Sequence, residues 1–305
     1  MPGLSMMRDL AVIDVGTNSV RLIWARVSPE GVEPVAKEVR VTRIGEGVDR
    51  TKRLLPKAMA RTLDAIGDFI ALVPAGASLW IVATSAVRGA SNGAEFAQLV
   101  WERTGVTLQV LSGDEEAQLS FSGAAYALRS LSLPDPLTVV DVGGGSTEIY
   151  TGTSQGELLG GGSVPLGAVR LLERCGARLP TSEDMIGILQ PLVQLNLGFY
   201  PKTLVAVGGT ATSLAAIIQD LDQYDDEKVQ GFAFSVQELE DCYSRLGRLS
   251  LAERRQIPSL QSGREDVIVY GAAILLEIAR LTGFAKLYVS SGDLLYGLLL
   301  SSQPN

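Results

Sequence analysis

The residues best suited to chemistry in this chain form one short run, Asp141-Val142-Gly143-Gly144-Gly145-Ser146-Thr147-Glu148. It closes the apolar stretch from Leu137 to Val140 with an acid, three glycines, two hydroxyls and a second acid. By composition this is a cradle for phosphate and metal. Three glycines let the backbone take positive φ and bring successive N–H groups to one anion, while Asp141 and Glu148 can hold a hard cation against the same anion. A tight β-turn between two strands would use the same glycines.

A second run carries the same design. Asp14-Val15-Gly16-Thr17-Asn18-Ser19-Val20-Arg21-Leu22 aligns without a gap on residues 141–149 and shares the Asp, Val, Gly and Ser positions. Each copy follows an apolar, strand-like run and precedes another. The chain therefore reads as two halves of related design, each offering an Asp-x-Gly turn to a common site between them.

The elements that must carry these turns follow from periodicity. Residues 9–27 read as a β-hairpin with Asp14 near its tip, and a further strand covers 35–42. Apolar residues at helical spacing (Met59, Leu63, Ile66, Ile70) predict a helix over 56–72. A buried strand at 78–83 delivers Thr84-Ser85-Ala86-Val87-Arg88 at its C-terminal end, where open α/β sheets bind ligands. A helix over 93–104 and a strand over 107–111 lead to Ser112-Gly113-Asp114-Glu115-Glu116-Ala117. There, Ser112 and Glu115 have the spacing of a capping box that opens a helix running to about residue 131. That gives Glu115 a structural task and leaves Glu116 for catalysis, the alternative being a solvated helix carboxylate.

The second half repeats the pattern after Leu133-Pro134-Asp135-Pro136. Residues 160–167 read as a glycine-rich link into a helix over 168–175, and a helix over 182–197 precedes a strand over 203–207. That strand runs into Gly208-Gly209-Thr210-Ala211-Thr212-Ser213, a glycine turn opening a helix whose N–H groups suit a phosphate, or a plain strand-to-helix connection. Residues 222–262 read as polar, helical and solvated. Arg264-Glu265-Asp266 begins a long amphipathic helix, followed by a strand over 287–289 and a terminal apolar helix.

The totals restrict the chemistry further. At 305 residues, length predicts about two domains. The chain has no histidine, which removes Ser-His-Asp and Cys-His nucleophiles, phosphohistidine intermediates and His-ligated metals. Cys175 and Cys242 match no metal or redox spacing and read as reduced cysteines. A net charge of −8 argues against a nucleic-acid partner. The basic concentration Arg40, Arg43, Arg50, Lys52, Arg53, Lys57 and Arg61 reads as a solvated surface. No uncharged apolar run has the length of a membrane span and no signal-peptide layout is present, so the expectation is a cytoplasmic protein without a membrane partner.

Six of these runs, taken in order, resemble the exopolyphosphatase/guanosine pentaphosphate phosphohydrolase family. They are residues 14–22, 83–88, 112–117, 141–148, Pro165-Leu166-Gly167-Ala168-Val169-Arg170, and Gly208-Gly209-Thr210. The resemblance spans residues 9–300. It implies an α/β fold of two related actin-like ATPase (ribonuclease H-like) domains, over 1–124 and 125–305, with the active site in the cleft between them and the last helix packing back on the first. It further implies that Glu116 is the general base and that Asp141 and Glu148, faced by Asp14, are the metal-associated acids. Arg21, Arg88 and Arg264 resemble the family's phosphate-contacting arginines. Larger members carry a further helical domain, and their last motif places an arginine where Gly292-Asp293-Leu294-Leu295-Tyr296-Gly297 has none.

The reaction expected from the resemblance is hydrolysis of the terminal phosphoanhydride of inorganic polyphosphate, with Mg²⁺, or Mn²⁺ in its place, as cofactor. Amides and hydroxyls of Thr17, Asn18, Ser19, Gly143, Gly144, Gly145, Ser146, Gly208, Gly209 and Thr210 would hold nonbridging oxygens while Glu116 activates water. Guanosine pentaphosphate is the alternative substrate, and an ATP-dependent small-molecule kinase of the same superfold is a more distant reading. Because the larger members' helical domain is missing, polyphosphate of limited length is favoured. The family often forms homodimers.

Overall fold

Two antiparallel hairpins begin the two halves of the chain, and each seeds a sheet. The structure, a computed structural model, describes residues 7–302. The chain falls into a first unit, up to Ser112 together with the stretch from Leu295 onward, and a second unit, Gly113–Leu294. The boundary expected between residues 124 and 125 falls within the helix Gly113–Leu128.

In the first unit, β1 (Arg8–Val15) pairs with β2 (Ser19–Ser28), and β2 with β3 (Gly31–Val41), all antiparallel. After α1 (Val48–Thr51) and α2 (Pro56–Ile70), β4 (Ser78–Ala83) adds parallel to β1. The one-turn α3 (Ser85–Arg88), α4 (Gly93–Thr104) and β5 (Leu108–Val110) complete the order β3-β2-β1-β4-β5. Pro56 starts α2 at the position where its missing N–H costs nothing. That helix buries Ala58, Met59, Thr62, Ala65, Ile66 and Phe69, one stripe at 3- and 4-residue spacing. Of these, Met59, Ala65, Ile66 and Phe69 meet Ala11, Ile13 and Val15 of β1 and Phe96 and Val100 of α4 in a single core. The basic concentration on this unit is largely ion-paired, through Arg40–Asp68, Lys52–Asp49, Arg53–Glu95 and Arg61–Glu46.

The second unit repeats that strand order. It contains α5 (Gly113–Leu128), β6 (Leu137–Val142), β7 (Thr147–Gly152), β8 (Leu158–Val164), α6 (Ala168–Cys175), α7 (Ile186–Leu197), β9 (Thr203–Val207) and α8 (Gly208–Ile218). Then follow α9 (Asp226–Val229), β10 (Ala233–Ser235), α10 (Val236–Arg248), α11 (Leu251–Arg254), α12 (Ile268–Thr282) and β11 (Lys286–Val289). Its sheet runs β8-β7-β6-β9-β11-β10, with β10 as an added antiparallel edge. The terminal α13 (Leu294–Ser301) lies, from Leu295, in the first unit.

Three expectations change here. Residues 160–163 are not a link but part of β8, paired in register with β7 from Thr147↔Val164 to Thr151↔Gly160. Glycine serves there as a thin surface: the Phe199 ring packs on Gly160, and the Tyr150 backbone and ring on Gly161, with no room for a Cβ at either. Residues 222–262 are not a solvated connection. They contribute Val229, Phe234, Leu239, Cys242 and Leu246 to the unit's core, and a Ser235–Glu238 capping box opens α10. The apolar spacing of 239, 242 and 246 is masked in sequence by the charged residues that fill the helix's outer face. Helix α12 is buried from Ile268 to Ala279, so it is a central helix rather than an amphipathic one. Cys242 is buried and Cys175 half-buried, and both are free thiols.

Candidate active site

The alternation of β6 and β7 decides which residues meet. Along β6, Val140 and Val142 face one side of the sheet with α6, α7, α8 and α12, whereas Leu137 and Val139 face α5. Asp141 follows Val139 on the α5 side. Along β7, Tyr150 points to α5 and Ile149 away, so Glu148 is also on the α5 side. Asp141 and Glu148 are direct partners across the antiparallel ladder, and Ser163 of β8 is the next in the same row. The sheet thus lines up Asp141, Glu148 and Ser163 beneath the N-terminal half of α5, which carries Glu116.

The contacts confirm that alignment. Ser120 on α5 donates its hydroxyl to Asp141 Oδ2 at 3.2 Å, and Ser163 donates to Glu148 Oε1 at 2.6 Å. Glu148 is 3% exposed. Burial, and then the nearby charges of Glu116 and Asp141, raise its pKa well above the ordinary carboxylate value, while hydrogen bonds from Ser163 and Ser146 work the other way. Three carboxylates from three elements therefore share one low-dielectric field.

The loop between β6 and β7 is held from below. Gly143 N–H donates to the Ser146 carbonyl at 3.0 Å, which closes the turn. Ala168 N–H donates to the Gly143 carbonyl at 2.9 Å, Val169 N–H to the Gly144 carbonyl at 2.8 Å, and Arg170 Nε to the Gly145 carbonyl at 2.9 Å. Gly167 lies so close to the Gly144–Gly145 backbone that a Cβ would overlap it. With its carbonyls tied to the start of α6, the loop is fixed by Gly167 and the first turn of that helix.

At the end of β9, Gly208 has φ +77° and its Cα abuts the Asp141 carboxylate, leaving no space for a side chain. Gly209, the next residue, carries the Arg264 guanidinium against its Cα. Arg264 is 9% exposed, and its Nε donates to Gln261 Oε1 at 3.0 Å. A buried cation at the N-terminal turn of α8 is unfavourable with the helix dipole unless an anion sits there too. Thr210 differs from expectation. Its hydroxyl donates to the Val142 carbonyl at 2.8 Å and fastens α8 to β6.

The first unit holds the matching turn. Gly16 N–H donates to the Ser19 carbonyl at 3.0 Å, as Gly143 does to Ser146. Thr17, Asn18 and Ser19 are each buried. The Asn18 carbonyl accepts from Thr42 N–H (3.1 Å) and Arg43 N–H (2.9 Å). Its side-chain amide is buried, and neither Oδ1 nor Nδ2 has a hydrogen-bond partner among the described residues. Asp14 and Arg21 are cross-strand partners, and Arg21 gives Nε (3.0 Å) and Nη2 (2.8 Å) to Asp14 Oδ2. Arg88 Nη1 donates to the Leu111 carbonyl at 2.6 Å. In the position where the second unit opposes two acids, the first opposes an acid and an arginine.

Sequence reading missed the side chains that orient the acids. Ser120 is four residues beyond Glu116 on one helix, a spacing that puts them on neighbouring faces and could have been noticed. Ser163 was hidden because 160–163 read as a link, and a cross-strand partner is invisible until register is known. Tyr150, whose hydroxyl donates to Asp114 Oδ1 at 2.9 Å, was hidden for the same reason. Burial and Asp114 push the Tyr150 hydroxyl up to about 12, so it is a proton donor at neutral pH.

Asp141, Glu148 and their hydroxyl supports are hard oxygen donors suited to Mg²⁺. Among the described residues no group of three His, Cys, Asp or Glu side chains forms a ready-made cation cage.

Taken together, the strand order and the paired Asp-x-Gly turns define an α/β protein of the actin-like ATPase type, built to handle phosphate. The chain belongs to the Ppx/GppA phosphatase family, whose model matches residues 22–305. It is 35% identical over 315 residues to exopolyphosphatase 2 of Mycobacterium tuberculosis, covering 96% of this chain and 98% of that protein. Among solved structures, an exopolyphosphatase-like protein matches with TM-score 0.87 and 31% identity, covering 97% of each chain. The Ppx/GppA family member of Aquifex aeolicus matches with TM-score 0.77 and 28% identity, again covering 97% of each chain. Among the described residues no helix is long and apolar enough to cross a membrane.

Proposed function

We propose that this chain is an exopolyphosphatase that releases orthophosphate from the end of inorganic polyphosphate, with Glu116 as general base. The observation that carries the reading is the meeting of Glu116, Asp141 and Glu148 on one face of the second unit. Likeness along the whole chain to an exopolyphosphatase supports it.

Phosphoanhydrides carry their own good leaving group, so catalysis reduces to positioning, charge neutralisation and orienting water. Glu116 accepts a proton from the attacking water as its oxygen bonds to the terminal phosphorus. The bridging P–O bond breaks, and its electrons stay on the shortened chain. Amides of Gly144, Gly145, Ser146, Gly208, Gly209 and Thr210, with the Arg264 guanidinium, hold nonbridging oxygens in the second unit, while the Gly143 amide closes the turn that presents them. In the first unit, Thr17, Asn18, Ser19, Arg21 and Arg88 are the assigned phosphate ligands. The orphaned Asn18 amide supports that assignment, because a phosphate oxygen would satisfy it.

Ppx/GppA phosphatases are in general divalent-metal dependent. Asp141 and Glu148 would hold Mg²⁺, with Asp14 as the acid of the first unit, and the ion would neutralise charge on the departing chain. The reading is tested by phosphate released from short polyphosphate, long polyphosphate and guanosine pentaphosphate at matched concentrations, with Mg²⁺, by wild type and Glu116→Gln. Polyphosphate turnover that disappears in the variant supports it. Preferential turnover of guanosine pentaphosphate would move the substrate to that nucleotide, and release from none of the three would overturn the hydrolase reading.

A further inference from the structure

Helix α5 is seated on the sheet by three contacts around Glu116. The Phe121 ring fills the space above Gly152 of β7, where a Cβ would collide with it. Ser120 donates to Asp141 of β6 at 3.2 Å. The third contact lies nearest the helix start, where the Tyr150 hydroxyl of β7 donates to Asp114 Oδ1 at 2.9 Å. At about 100° per residue, Ala117, Phe121 and Ala124 form the buried stripe toward the sheet, with Asp114 on one flank and Ser120 and Glu116 on the other. The first turn of a helix has no preceding turn to restrain it, so a side-chain anchor there fixes both its seating and its rotation.

Resting on the assignment of Glu116 as base, we propose that Tyr150 is a positioning residue for it: by gripping Asp114, the β7 hydroxyl sets the direction in which the first turn of α5 presents Glu116. Tyr150 stands two residues from Glu148 on the same face of β7. One strand therefore fixes the place of an acid and, through Asp114, the place of the base relative to it. A base displaced by a fraction of a hydrogen-bond length loses rate while binding is retained.

The test measures kcat and KM for polyphosphate hydrolysis in Tyr150→Phe, Asp114→Ala, Asp114→Asn, Glu116→Gln and the Tyr150→Phe/Glu116→Gln double variant. Tyr150→Phe and Asp114→Ala are expected to lower kcat about tenfold with KM within about twofold of wild type. Asp114→Asn keeps an acceptor for the hydroxyl and should stay near wild type. In the Glu116→Gln background, Tyr150→Phe should cost nothing more, because the group it positions is already gone. A Tyr150→Phe enzyme with unchanged kcat would overturn the proposal. So would an undiminished extra loss in the double variant, or an Asp114→Asn enzyme as impaired as Asp114→Ala. If Glu116→Gln itself ran at the wild-type rate, the base assignment and this proposal would fall together; if only Glu116→Gln were impaired, the Tyr150 proposal alone would fall.

Discussion

Asp141 and Glu148 face one another directly across the β6–β7 ladder, two acids where the equivalent β1–β2 pair is Asp14 and Arg21. Like charges opposed on a sheet are destabilising, and here one of them is buried. The second unit therefore keeps an electrostatic cost that the first removes with an arginine, and a proton or a cation relieves it.

Stability of the metal-free protein should carry that cost. The folded pKa of Glu148 lies well above the ordinary glutamate value of 4.5. Below 4.5 both folded and unfolded states hold the proton, and Glu148 contributes no pH dependence. As pH rises, the unfolded state releases its proton first, so stability falls through the window between 4.5 and the folded value and stays reduced above it. Glu148→Gln should raise the melting temperature at pH 7.5 in EDTA and make little difference near pH 4.5. Parallel melting curves for the two proteins across that range would contradict the shift.

Removal of the base should slow chemistry selectively. Glu116→Gln is expected to lower kcat about 10²- to 10⁴-fold while substrate binding remains measurable, as for other lost general bases. A variant running near the wild-type rate would take Glu116 out of the mechanism.

Chelation should abolish phosphate release, and Asp141→Asn or Glu148→Gln should shift the Mg²⁺ titration of activity to higher concentration. The acids can be counted this way because Mg²⁺ uses few protein ligands. Turnover that persists in excess EDTA would remove the cation from the scheme.

The loop between β6 and β7 should not tolerate a methyl group beneath it. Gly167→Ala would drive a Cβ into the Gly144–Gly145 backbone, which has no flexible end to yield. Destabilisation of about 1–3 kcal/mol is expected, measured by denaturant unfolding, together with loss of activity. An alanine variant of native stability would show that the loop can shift.

Much of this protein was decided locally. The two Asp-x-Gly hairpins, α2 and α4, β9 with the helix after it, and Glu116 as a carboxylate near a helix start all follow from spacing over a few residues. Such features are legible because alternation, helical periodicity and turn chemistry act between neighbours in sequence. Tertiary structure decided what depends on register and on distant packing. The glycines 160–162 became a strand because Phe199 and Tyr150 cover them. Residues 229–246 became core because their apolar stripe found the sheet. Ser163 reached Glu148 across a ladder, and Tyr150 reached Asp114 across 36 residues. The identities of the acids were written in the chain, but which hydroxyls orient them, and that burial and neighbouring acids raise the pKa of Glu148, depended on strands and a helix meeting in space.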